Sequence, residues 1–170
     1  MHHGMAIAAI LLPAAAMAQV HQRTEFRFTL DVEYRTAAPL FGAWAERQWA
    51  PDWKPEFVYP VPPNDEEGAV FRVGAGSAHD AVWMLTVFDL AGGHVQYALV
   101  LNQAIFTRID IRLARNGAQK TDVTVAYEWT ALQPEAEPHL KSLMKSHAGQ
   151  GAEWKTAIEA AVRKTREGAK

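Results

Sequence analysis

Trp44-Ala-Glu-Arg-Gln-Trp-Ala-Pro-Asp-Trp-Lys-Pro-Glu-Phe-Val-Tyr-Pro-Val-Pro-Pro-Asn-Asp-Glu-Glu-Gly-Ala-Val-Phe71 puts three tryptophans, two phenylalanines and a tyrosine into one proline-broken stretch. Prolines at 51, 55, 60, 62 and 63 rule out a long helix and a central strand alike, since each lacks a backbone N–H and fixes φ. Trp49, Trp53, Phe57 and Tyr59 therefore have to pack from an irregular segment onto something already folded. Such a segment either plugs the end of a sheet or forms a lid over an apolar pocket. Its neighbours show what it packs on.

Upstream, Phe26, Phe28, Leu30, Val32 and Tyr34 alternate with Arg27, Thr29, Asp31 and Glu33, the pattern of a half-buried antiparallel strand. Pro39 then starts a short helix within 37–49, with Leu40, Phe41 and Trp44 at helical spacing and Pro51 ending it. Downstream, strands are expected at 69–73, 81–88, 94–101, 105–113 and 121–132, separated by Gly74-Ala-Gly76, Gly92-Gly93 and Asn116-Gly117. Asn116-Gly117 is the strongest turn signal, because both residues tolerate positive φ. In 81–88 both faces are apolar, and periodicity does not say which looks inward.

After Gln133-Pro134 the period becomes helical. Leu140, Leu143, Met144, His147, Trp154, Ile158 and Val162 form one stripe, with Lys141, Lys145, Lys155, Glu159 and Arg163 off it. Gly149 and Gly151 predict a kink or a close backbone approach within this long terminal helix.

The chain has 170 residues, 49% hydrophobic and 21% charged, enough for one domain with a substantial core. Its net charge of -2, with both signs interspersed, lacks the basic footprint that grips a phosphate backbone, so nucleic acid is not an expected partner. The first 18 residues read as a cleavable export signal: an apolar run ends in Ala16-Met17-Ala18, although no Lys or Arg precedes it. A mature domain at 19–170, periplasmic or secreted and without an integral membrane span, is the expectation. The absence of cysteine excludes disulfides, thiolate metal sites and a Cys nucleophile.

No metal-ligand spacing, catalytic motif or cofactor motif is present, so no metal, cofactor or catalytic residue is assigned. Gly76-Ser77 beside His79-Asp80 reads as turn polarity. Gly42-Ala43-Trp44 repeats the Gly-x-Trp of lipocalins, but too few strands follow it for that eight-stranded barrel. Tyr34, Tyr97, Thr107, Tyr127 and His147 place polar tips at otherwise apolar positions, where each either satisfies itself in the core or faces a cavity.

The order of strand, short helix, Trp/Pro loop, antiparallel meander and long terminal helix resembles the START/Bet v1-like (SRPBCC) superfamily over about residues 24–162. The resemblance rests on Ala38-Pro39-Leu40-Phe41, on Trp49 and Trp53 with Pro55 and Pro60, and on Gly68-Ala-Val-Phe71. Val82-Trp83-Met84, Tyr97, the 120–127 strand and Trp154 complete it. It implies an α+β helix-grip fold, a curved antiparallel sheet of about six or seven strands wrapped around the terminal helix. The expected function is binding of a hydrophobic small molecule or lipid between sheet and helix, with Trp49, Trp53, Phe57, Tyr59, Trp83, Tyr97, Tyr127, Trp129, Met144, His147 and Trp154 as ligand-contacting candidates. A cyclase or hydrolase using the same cavity, and a protein-interaction module with an exposed Trp loop, are the alternatives.

Overall fold

The computed structural model describes residues 20–147 and 149–168. The expected leader, and most of its junction with the domain, lies outside these residues. Seven strands form one antiparallel sheet: β1 (His21–Leu30), β2 (Glu56–Tyr59), β3 (Val70–Val73), β4 (Ala81–Asp89), β5 (His94–Leu101), β6 (Ile105–Asn116) and β7 (Lys120–Ala131). Their order is β1-β7-β6-β5-β4-β3-β2, so the first strand returns beside the last, and β1 and β2 are the edges. β1 pairs with β7 from His21 opposite Thr130 to Leu30 opposite Thr121. The β6–β7 hairpin closes through the three residues Gly117–Gln119, with Gly117 at φ +66°; Asn116, expected to share the turn, stays in the ladder opposite Lys120.

The alternation read in the sequence selects the inner face directly. Ile105, Ile109, Ile111 and Leu113 on β6, and Val123, Val125, Tyr127 and Trp129 on β7, are buried. On β4 the ambiguity is resolved by a bulge between Leu85 and Val87. Before it, Trp83 and Leu85 face inward while Val82 and Met84 are exposed; after it, Phe88 packs on the core. One extra residue in the strand resets which parity points inside.

Several expectations need correction. The first strand ends at Leu30, and Tyr34 begins the one-turn helix α1 (Tyr34–Ala37), although its ring stays buried and its OH donates to Leu90 O (2.7 Å). Past Leu30 the outer edge is met by the terminal helix, with Asp31 N–H donating to Glu159 (2.8 Å). The single short helix is α1 followed by two separate 3₁₀ turns, Ala38–Phe41 and Ala45–Gln48, and the Pro-rich segment is not wholly irregular, since it contributes β2. β2 is four residues long and lies at an edge, where proline beyond its end costs no ladder bond.

The long terminal helix is two helices, α2 (Glu137–His147) and α3 (Gln150–Gly168). α2 packs on β7 and α3 on β1. At Gly151 a Cβ would lie 3.1 Å from Phe26 and 3.6 Å from Arg27 O, so α3 crosses β1 there at a distance that glycine permits. Lys155 donates to Thr29 O and pairs with Glu159 (3.1 Å), covering an edge that would otherwise be open to pairing.

Candidate functional site

The sheet curves around the helices without filling the space between them. Two adjoining lobes remain, each about 230 Å3, sharing Trp83, Ile109, Tyr127 and His147 as common wall. The outer lobe adds Val73, His79, Leu99, Leu101, Thr107, Trp129 and Leu143. Glu46, Trp53, Tyr97, Ile111, Gln150 and Trp154 complete the inner one.

The rings are set by their strands and by anchored indoles. Trp53 donates its N–H to Ala43 O (2.7 Å), which fixes the ring edge-on to Trp83 at 5.2 Å. Trp83 in turn meets Tyr97 at 5.9 Å and 78°, and Tyr97 OH donates to Phe41 O (2.7 Å). Across the cavity, His147 sits 4.3 Å from the Tyr127 ring and 4.9 Å from Trp129. Trp154 lies edge-on to Phe26 at 5.5 Å.

Glu46 enters through the 3₁₀ turn Ala45–Gln48. That turn is held by Asp65, whose carboxylate accepts the N–H groups of Trp44 (2.6 Å) and Ala45 (3.0 Å). Gly42 makes room for it, since a Cβ there would fall 2.3 Å from the Asp65 carboxyl. The turn thereby aims Glu46 inward. No hydrogen bond or ion pair from another described residue acts on the Glu46 carboxyl; burial first, and then the negative charge of Asp65, push its pKa up to about 8. Asp65 itself is raised by burial against the pull of its two N–H partners.

Three other wall groups, Tyr127, Tyr97 and His147, are held neutral for the same physical reason. Burial pushes the Tyr127 and Tyr97 phenols upward, with Glu46 adding to both shifts. It lowers His147 to about 4, against a smaller opposing pull from the neighbouring Gln150 amide. That amide falls short of hydrogen-bond geometry. His147 Nδ1 and Gln150 Oε1, like Trp83 Nε1 and Thr107 Oγ1, are buried without a partner among the described residues.

No protein-family model matches the sequence, and no curated protein is significantly similar to it. Solved structures do match in shape. Norcoclaurine synthase from Thalictrum flavum, in complex with dopamine and hydroxybenzaldehyde, gives a TM-score of 0.66 at 12% identity, over 95% of this chain and 98% of its own. The Zhui aromatase/cyclase from Streptomyces sp. R1128 gives 0.60 at 13% identity, over 86% and 96%. A START superfamily protein from Mycobacterium smegmatis gives 0.60 at 16% identity, over 86% and 99%. The fold is the Bet v1-like/START helix-grip. At these identities the likeness speaks for the fold alone.

In this helix-grip chain, seven of the eleven candidates from the sequence wall the cavity: Trp53, Trp83, Tyr97, Tyr127, Trp129, His147 and Trp154. Four lie elsewhere. Trp49 is core: buried, its N–H donating to Leu40 O (2.8 Å), its ring 5.3 Å from Trp154. Phe57 stacks on Phe71 at 5.3 Å, behind the wall. Tyr59 is 55% exposed on edge strand β2, and Met144 packs among partly buried apolar side chains without reaching either lobe. Glu46 and Gln150 were missed. A signal for Glu46 was available: with Gly42, Ala43, Trp49 and Ala50 at spacings of three or four, it occupies the inward face of a helical turn, where a carboxylate is out of place.

Proposed function

We propose that this chain binds a compact, ring-bearing hydrophobic molecule with polar groups inside the two-lobed cavity. The observation that carries the reading is that four residues of the cavity wall, Trp83, Thr107, His147 and Gln150, each hold a buried polar atom that no other described residue satisfies. Each costs about 1–3 kcal/mol when left unpaired, which a core selected only for packing would avoid. Ligand polar atoms would satisfy them, and the aromatic walls supply roughly 25 cal/mol per Å2 of apolar surface covered. Lobes of about 230 Å3 favour a compact ring system over a long acyl chain.

An acid–base enzyme is a second reading, favoured by the opposite shifts of Glu46 and His147 on one lobe. Native mass spectrometry of protein purified from its host is expected to detect a retained compound, and tryptophan emission should respond to ring-bearing probes. Failure of every probe to bind below about 100 μM, some 5–6 kcal/mol of affinity, would defeat the binding reading. A retained compound that is chemically altered on incubation would favour the enzyme.

We further propose export, resting on the apolar leader and Ala16-Met17-Ala18. N-terminal sequencing of the envelope fraction should start at or near Gln19; an intact Met1 on soluble cytoplasmic protein would refute it. Among the described residues, no helix is long and apolar enough to cross a membrane.

A further inference from the structure

Among the described residues, the inner lobe sets a carboxyl against no lysine or arginine. Glu46 opens into a space walled by Trp53, Trp83, Tyr97, Tyr127 and Trp154. A carboxyl taken out of water normally acquires a cation or several N–H donors. The adjacent Asp65 follows that rule, with two backbone N–H donors at 2.6 and 3.0 Å. Glu46 does not. Among the described residues, the charge that acts on it is that of Asp65, which repels its anion.

The rings add an independent preference. Trp53 and Trp83 meet at 83°, and Trp83 and Tyr97 at 78°, so neighbouring walls stand as the sides of a box rather than as a stack. Aromatic faces carry negative electrostatic potential and attract an organic cation within about 6 Å of a ring centroid, more strongly where water is excluded. An unpaired carboxyl and an aromatic box on one lobe complement the same chemistry.

We propose that the ligand is an organic cation, a compact amine or quaternary ammonium, whose charged nitrogen sits in the inner lobe against Glu46 and the rings while its apolar body extends into the outer lobe. This rests on the cavity being a binding site. A quaternary nitrogen binds the ionised Glu46, so below the pKa of that carboxyl each binding event releases its proton to solvent. The groups facing Glu46 are Asp65 from the loop before β3, Tyr97 on β5, Tyr127 on β7 and His147 on α2. On its own turn, Arg47 is drawn away over the Trp44 ring.

The test compares benzyltrimethylammonium with its uncharged carbon isostere neopentylbenzene, titrated calorimetrically and by tryptophan emission against the full chain. At pH 8.5 the cation should bind at least about tenfold tighter than the isostere. Its affinity should fall about tenfold per pH unit between pH 8 and 6, while that of the isostere stays flat. Glu46→Gln should abolish the slope, reduce the preference to what the rings alone supply, and still bind the isostere. If that variant does not fold, the wild-type comparison alone decides. Equal affinities with no pH slope would overturn the cation assignment and leave the binding cavity standing. Binding of neither compound would overturn the cation assignment, and failure of the wider probe panel as well would remove the cavity reading with it.

Discussion

At Glu46, a carboxyl that water would hold ionised remains the acid up to about pH 8. Its unfolded value is 4.5, so the folded chain carries an extra proton between the two, and stability falls as pH rises through that window at up to about 1.4 kcal/mol per unit. His147 acts in the other direction. Its folded value of about 4 lies below the unfolded 6.5, so its contribution is intact above 6.5 and is lost as pH falls towards 4. The two slopes oppose each other at mildly acid pH, and Glu46 alone dominates of the pair from about 6.5 to 8. Glu46→Gln should therefore melt close to wild type at pH 5 and at a higher temperature at pH 8.5. A gap that does not change with pH would mean that Glu46 ionises freely. Trp49→Ala is a prediction of a different kind. This indole is buried and its N–H is satisfied, so truncation should cost about 3–5 kcal/mol in denaturant melts with little effect on ligand release. Fast release with unchanged stability would restore the lid role that its place in the Pro-rich stretch suggested.

Among the elements, the terminal helices show best what periodicity conveys. The apolar stripe runs from Leu140 to Val162 as if through one helix, and the burial of Leu140, Ile158 and Val162 follows it. The break between α2 and α3 depends on what each half meets, β7 for one and β1 for the other, and no local pattern contains that information. Gly151 was legible as a point of close approach; that Phe26 is what approaches was not. Trp154 joins the two roles, packing against Phe26 and Trp49 while also walling the inner lobe. Since part of its ring faces the cavity, Trp154→Ala should cost about 2–4 kcal/mol, towards the low end for a large aromatic truncation. It should also weaken any cavity ligand. Denaturant titration with and without the probe measures both, and a loss under about 1 kcal/mol would mean the helix docks without this ring. β4 makes the same point for strands: its apolar residues on both faces were visible, but the bulge before Val87 appears only when β5 supplies the register.

Over the whole molecule, the cavity sets a balance between stability and binding. Thr107 is 1% exposed and its hydroxyl is unsatisfied, so Thr107→Val, which keeps the shape and removes the polar atom, should raise stability by about 1 kcal/mol and weaken a ligand that bonds there. Denaturant melts and probe titration check the pair of effects; a loss of stability would show that the hydroxyl is already satisfied. The sequence by itself determined the inward faces of the strands with one apolar side, the turn that begins at Gly117, the antiparallel class and the helical cover, because each depends on side-chain period or backbone freedom within a few residues. It also marked seven rings and polar tips of the cavity wall, since those positions interrupt or enlarge an apolar face. Only the tertiary structure decided that Trp49 is core and Tyr59 surface, that Glu46 points inward, and that Gln150 and His147 meet the same space. Those facts are set by contacts between segments far apart in the chain: Asp65 holding the turn of Trp44, Phe26 beneath Gly151, and a sheet whose curvature leaves room that its helices do not fill.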